Sequence, residues 1–87
     1  MVVLRERIEK YIKMMERAIE ELEPSIKSLP LDTKELIENV KLYINDSKNY
    51  LKENKIFEAL SCISYAEGLL DALNFMNLLK IDWKRFK

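Results

Sequence analysis

The side chains best suited to chemistry fall into two short groups of hydroxyls and carboxylates. Asp46, Ser47 and Tyr50 lie within one stretch of five residues, and Glu67 and Asp71 are four residues apart. Carboxylate oxygens are ligands that Mg²⁺ accepts, whereas a buried serine closed off by tyrosine and aspartate forms a hydrogen-bonded network. We interpret these five residues as a possible polar site. Asp46, Ser47 and Tyr50 are expected to form a structural network rather than an active site, whereas Glu67 and Asp71 either form the solvated side of their helix or receive a cation or a basic partner.

The composition excludes most enzyme chemistry. The chain contains no histidine, so Ser–His and Cys–His nucleophilic pairs and most transition-metal sites are absent. Gly68 is the only glycine, which rules out a glycine-rich phosphate loop. We therefore predict that the protein is not an enzyme and has no catalytic residues, no metal site and no cofactor. Cys62 is the only cysteine, and this fits a reducing cytoplasmic setting.

Length and charge bound the remaining possibilities. The 87 residues make one domain, 1–87, and the 15 basic and 15 acidic residues cancel. A zero net charge provides no overall field for nucleic acid or for a membrane surface. No apolar run is long enough to span a bilayer, and "MVVLRERIEK" introduces a charge at Arg5, so no signal peptide is expected. The sequence predicts a cytoplasmic protein without a membrane partner.

The spacing of apolar residues predicts the helices that position the polar-site residues. Apolar residues recur at alternating spacings of four and three, which predicts helices over about 2–22, 33–53 and 55–79 and leaves a tail at 80–87. Pro24 and Pro30 are expected to break the first helix, because each disfavours helix in the residue before it. Asp32 with Glu35 predicts the N-cap of the second helix, and Asn54 marks its end. The expected fold is an all-α, antiparallel up-down-up three-helix bundle.

The third predicted helix carries two apolar stripes, and no Lys or Arg occurs between Ile56 and Leu79. The first stripe comprises Ala59, Ile63, Ala66, Leu70 and Leu73, and the second comprises Cys62, Tyr65, Leu69, Ala72 and Met76. Both stripes could face the other two helices. Alternatively, part of the second stripe faces another subunit, and Tyr65, Leu69, Ala72 and Met76 then form the seam of a homodimer. Mid-helix Gly68 predicts a close helix crossing, because glycine weakens a helix.

Two functions of different class follow. The leading one is a protein–protein interaction or oligomerisation module, whose partner is another protein or a second copy. The alternative is a weak RNA-associated module that uses the basic and aromatic tail, namely Lys80, Trp83, Lys84, Arg85 and Phe86. The neutral net charge argues against a nucleic-acid partner, and we expect the tail aromatics to cap one end of the bundle instead.

The stretch "NDSKNYLKENKIFEALSCISYAEGLLDAL" resembles the central signature of an archaeal family catalogued as domain of unknown function 357. The matching elements are Asp46-Ser47, Tyr50-Leu51, Ala59, Tyr65-Ala66 and the run from Gly68 to Ala72, within residues 33–79. The resemblance implies a three-helix bundle in an archaeal cytoplasm and implies no activity. This chain departs from the pattern at "ENK", where glycine or aspartate is usual, and at Glu67, where histidine is frequent.

Overall fold

Three helices form the body of the protein. The computed structural model describes residues 2–86, so Met1 and Lys87, at the ends of the predicted domain and tail, lie outside the described residues. The helices are α1 (Val2–Lys27), α2 (Leu31–Lys52) and α3 (Ile56–Phe75), and a 3₁₀ helix follows at Trp83–Phe86. Every α-helix packs against the other two, and short loops join them. The predicted all-α, antiparallel three-helix bundle is confirmed.

One face of each helix is buried in a common core. Ile8, Met15, Ile37, Val40 and Ile63 are at most 2% exposed. The first apolar stripe of α3 is buried along its whole length, because it lies against both neighbouring helices. Removing these apolar side chains from water is the main force that holds the bundle together. In the described part of the chain, no helix combines the length and apolarity that crossing a membrane requires.

The end of α1 differs from the prediction. We expected the first helix to stop near residue 22, but α1 continues through Pro24 to Lys27. Proline removes one backbone hydrogen bond and disfavours helix in the preceding residue. Ile26, however, is only 6% exposed and belongs to the core. Its burial compensates for the missing bond, and the sequence rule is overridden by tertiary packing.

The start of α2 also differs. The predicted N-cap, Asp32, lies within the first turn, and the N-cap residue is Pro30, with φ −56° and ψ 154°. The carbonyl of Pro30 accepts hydrogen bonds from the backbone N–H groups of Thr33 and Lys34, both at 3.0 Å. The helix therefore begins at Leu31, two residues earlier than predicted, without a side-chain cap.

Asparagine ends both later helices in the same way. Asn54 and Asn77 have φ values of 61° and 60°, in the left-handed region. The residue after each asparagine donates its backbone N–H to a carbonyl in the last turn of the helix. The N–H of Lys55 bonds to the carbonyl of Tyr50 at 2.8 Å, and that of Leu78 bonds to the carbonyl of Leu73 at 3.0 Å. This is the Schellman arrangement. The break at Asn54 was predicted, but α3 stops at Phe75 rather than at residue 79.

Candidate functional site

The residues of the possible polar site do not converge. Asp46 lies on α2 close enough for its charge to act on the thiol of Cys62. Glu67 lies on a different side of α3, where it lines a cleft with Tyr11 of α1, and Asp71 contacts the C-terminal segment. Among the described residues, no group of three or more acidic, cysteine or histidine side chains is placed to hold a metal ion.

Ser47 joins α2 to α3 in the middle of the core. It is 0% exposed, and its Oγ donates a hydrogen bond of 2.7 Å to the carbonyl oxygen of Ala59. The acceptor thus belongs to the neighbouring helix rather than to the preceding turn of α2. The bond satisfies a buried hydroxyl that would otherwise be costly. Tyr50, one turn later, is half-buried and lies beneath the ammonium of Lys55, with Nζ 5.9 Å from the ring centroid.

Cys62 is a half-buried thiol that faces α2. Burial, together with the negative charge of Asp46, raises the pKa of the Cys62 thiol. A raised pKa lowers the fraction of thiolate, which is the nucleophilic form. The side chain is therefore suited to packing rather than to chemistry.

Alkylation of Cys62 by iodoacetamide near pH 8 is expected to be several-fold slower than that of an unstructured cysteine peptide, because less of the thiol is ionised. Asp46→Asn removes the negative charge and should accelerate the reaction. Asp32→Asn, a matched change far along α2, should leave the rate unaltered. A parent rate equal to that of the peptide, measured by mass spectrometry, would contradict the assigned environment.

Asp71 holds the C-terminal segment against the bundle. Its Oδ1 accepts a hydrogen bond of 2.7 Å from Nε1 of Trp83. One turn later, the amide of Asn74 bonds to both backbone groups of Ile81, at 3.1 Å and 3.3 Å. Arg85 then pairs with Glu21 of α1 at 3.3 Å. Asp71 and Asn74 of α3, together with Glu21 of α1, thus dock the tail.

The predicted nucleic-acid residues of the tail occupy different environments. Trp83 is half-buried and hydrogen-bonded, whereas Lys80, Lys84 and Arg85 are exposed. Phe86 lies beside α1, with Arg17 Cζ 6.0 Å from the ring centroid. The tail therefore runs back along α1 rather than extending into solvent. Its role in RNA binding stays a prediction.

The cleft between α1 and α2 is crossed by ion pairs. Lys41 contacts Glu23 at 3.2 Å, and Lys48 contacts Glu16 at 3.0 Å. Burial lowers the pKa of Lys41, but hydrogen bonds and charge from Glu23 and Glu38 outweigh that effect and raise it. The two cations that line this cleft already have acidic partners, so neither is available to an anionic ligand.

The second stripe of α3 is only partly covered. Cys62 and Leu69 are half-buried, while Tyr65, Ala72 and Met76 are exposed. The ring of Tyr65 leans on Tyr43 of α2, with centroids 4.7 Å apart, yet Tyr65 remains 55% exposed. The expectation that both stripes face neighbouring helices therefore holds for the first stripe and fails for much of the second.

Exposed apolar residues extend this surface to both ends of α3. Phe57 is 64% exposed and Phe75 is 86% exposed, and neither belongs to a predicted stripe. Their exposure was missed because they fall between the apolar positions of the helical pattern. The uncharged outer residues form what we call the α3 seam: Phe57, Ser61, Tyr65, Gly68, Ala72 and Met76, all exposed.

Gly68 lies at the middle of the α3 seam. Apart from its two chain neighbours and the backbone of its own helix, a Cβ atom added there would meet no atom of the described chain within 4 Å. The predicted close helix crossing therefore does not occur within the described chain. Glycine costs about 0.5–1 kcal/mol relative to alanine inside a helix, and no contact in the described chain offsets this cost.

Comparison with known protein families identifies the family of the chain. A family model described as "Protein of unknown function (DUF357)" matches residues 10–79. The match includes all of α2 and α3 and most of α1, a wider range than the residues that carried the resemblance in sequence. No protein of curated function matches the chain.

Proposed function

Since the chain belongs to DUF357, a family described only as proteins of unknown function, we propose a function from its own surface: it is an oligomerisation module that forms a homodimer through the α3 seam. A binding role fits a chain that has no histidine. The archaeal and cytoplasmic setting implied by the resemblance remains a prediction.

The lack of charge on the seam is the observation that carries this proposal. Charged residues make up 34% of the chain, yet Glu58, near one end, is the only exposed charged residue of α3. Large exposed apolar surfaces rimmed by polar residues mark contact sites. An uncharged surface is matched best by another uncharged surface, and a second copy of α3 provides one.

The spacing of the seam favours a second copy over an unrelated partner. Successive seam residues are separated by four, four, three, four and four positions, a pattern that reads the same in both directions. Two copies crossing antiparallel, with the two-fold axis between Tyr65 and Gly68, place the tyrosine of each copy over the glycine of the other. The same symmetry pairs Ser61 with Ala72 and Phe57 with Met76. Such self-complementarity is what a two-fold interface requires.

The exposed area is sufficient for a weak dimer. The three large seam residues, Phe57, Tyr65 and Met76, are 55–65% exposed. Together they present on the order of 350 Å² of apolar surface, since one aromatic side chain carries about 150–250 Å². A standard interface buries about 800 Å² per partner, and smaller ones belong to transient complexes. We therefore place the dissociation constant in the micromolar range.

Sedimentation velocity over a micromolar concentration series tests the proposal. The parent is expected to shift from the 10.4 kDa monomer to a species of twice that mass as concentration rises. Gly68→Glu places a charge at the centre of the seam and should leave only monomer. Asn49→Glu, an exposed site on α2 outside the seam, should dimerise like the parent.

The Gly68→Ala variant distinguishes an effect on dimerisation from an effect on the stability of the helix. At concentrations where only monomer exists, it should raise the free energy of unfolding by about 0.5–1 kcal/mol, because the added methyl group meets nothing. In the dimer the same methyl should meet the second copy's Tyr65 and weaken association. A monomeric parent at all concentrations, or a Gly68→Glu variant that still dimerises, would disprove the proposed seam.

A further inference from the structure

A cationic cleft lies between α1 and the 3₁₀ helix. Its volume is about 450 Å³, and it is lined by Lys10, Tyr11, Lys13, Met14, Arg17 and Phe86. Three of these six residues are basic and none is acidic. No residue of the α3 seam lines it. The cleft is therefore a separate feature from the proposed dimer surface.

The three cations of the cleft share one face of α1. Lys10, Lys13 and Arg17 are spaced three and four residues apart, which brings them side by side on a helix. The ion pairs formed among the described residues engage other cations instead. Acidic residues border this row of cations at both ends: Glu6 lies one turn before Lys10, and Glu20 and Glu21 lie one turn beyond Arg17, where Glu21 pairs with Arg85. The cleft thus concentrates positive charge in a chain of zero net charge.

Aromatic and apolar groups form the rest of the cleft. Met14 is 9% exposed, and Tyr11 and Phe86 are half-buried. The guanidinium carbons of Arg17 and Arg85 lie 6.0 Å and 5.9 Å from the centroid of the Phe86 ring. A flat aromatic ligand can stack on such a ring or on a guanidinium plane, while neighbouring ammonium groups meet its negative charge.

We propose that this cleft binds a nucleotide, that is, a phosphate joined to a planar base. The phosphate lies among the cations of α1 and the base stacks against Phe86. The nucleotide is either free or one unit of single-stranded RNA, because both present the same chemistry. Trp83 does not take part in stacking, because it does not line the cleft. The proposal does not depend on dimerisation through the α3 seam.

Titration with AMP and with a short polyuridine oligomer tests this assignment. Trp83, the only tryptophan, provides a fluorescence signal three residues from Phe86, and backbone NMR shifts locate the site. We expect shifts confined to residues 10–17 and 83–86. With three cations engaged, log affinity for the oligomer should fall against log salt with a slope near about −2.

Variants of the cleft decide whether those residues bind the ligand. Lys13→Glu combined with Arg17→Glu should abolish binding, and Phe86→Ala should weaken it about ten-fold, because stacking is lost. Lys80→Glu combined with Lys52→Glu makes the same charge change at exposed sites outside the cleft and should bind as the parent does. Circular dichroism confirms that each variant is folded.

Each outcome bears on the proposal. If AMP and the oligomer bind with equal affinity, the ligand of the cleft is a free nucleotide. If only the oligomer binds, the ligand is single-stranded RNA. The proposal is overturned if neither probe gives a saturable signal at millimolar concentration. It is also overturned if the charge-reversed variant binds normally, or if inorganic phosphate competes as well as AMP, because the ring is then not recognised.

Discussion

An Ile63→Asp variant is expected to lose the cooperative helical fold. Ile63 is 2% exposed at the centre of the buried face of α3. The substitution removes buried apolar volume, which costs about 2–5 kcal/mol, and buries a carboxylate without a partner, which costs several more. A domain of this kind has only about 5–15 kcal/mol of stability. Thermal denaturation followed by circular dichroism should show no cooperative transition.

The neighbouring position provides the control for Ile63→Asp. Ser64 is exposed on the same helix, so Ser64→Asp introduces the same charge without burying it. Its effect should stay within about 0.5 kcal/mol. An Ile63→Asp protein that melts like the parent would mean that the buried face of α3 is wrongly assigned.

Removing residues 83–87 is expected to lower the free energy of unfolding by about 2–3 kcal/mol, because a hydrogen bond to a charged group is worth about 1.5–3 kcal/mol. The truncation loses the bond from Trp83 to Asp71 and the half-buried indole ring. For a domain of this size the melting temperature should fall by about 10–20 °C. Differential scanning calorimetry measures both quantities.

Two single substitutions test whether the loss of stability comes from the hydrogen bond between Trp83 and Asp71. Trp83→Phe keeps an aromatic ring and removes the N–H donor, and Asp71→Ala removes the acceptor. If the two side chains stabilise the fold through this bond, the double variant loses less free energy of unfolding than the sum of the losses in the two single variants. Lys84→Ala changes an exposed side chain of the same segment and should be neutral. A truncated protein that melts within two degrees of the parent would show that the docked tail does not stabilise the bundle.

Periodicity predicted which residues of α3 are apolar but not what covers them. The stripe of Ala59, Ile63 and Ala66 is buried as a helical pattern requires. Tyr65 and Met76 belong to an equally regular stripe and are exposed. The spacing of apolar residues along one helix shows which of them share a face. Whether that face is buried depends on where the neighbouring helices lie.

The missed contacts all depend on tertiary structure. Ser47 donates a hydrogen bond to Ala59 of the neighbouring helix, although the sequence equally allows an acceptor in its own helix. The bond between Trp83 and Asp71 requires the chain to reverse at Asn77. No glycine or proline marks that reversal, so the sequence predicts a helix that continues past it.

The unequal packing of the helices has a consequence for local opening. α2 and α3 pack against each other much more extensively than α1 packs against either, and residues 53–55 alone connect them. The α2–α3 hairpin is therefore the natural cooperative unit, and its core amides should exchange with solvent last. α1 is joined to α2 partly by exposed ion pairs such as Glu16–Lys48, which salt screens. We therefore expect partial unfolding to begin with release of α1, and higher ionic strength to make that release modestly more frequent, because exposed ion pairs contribute little.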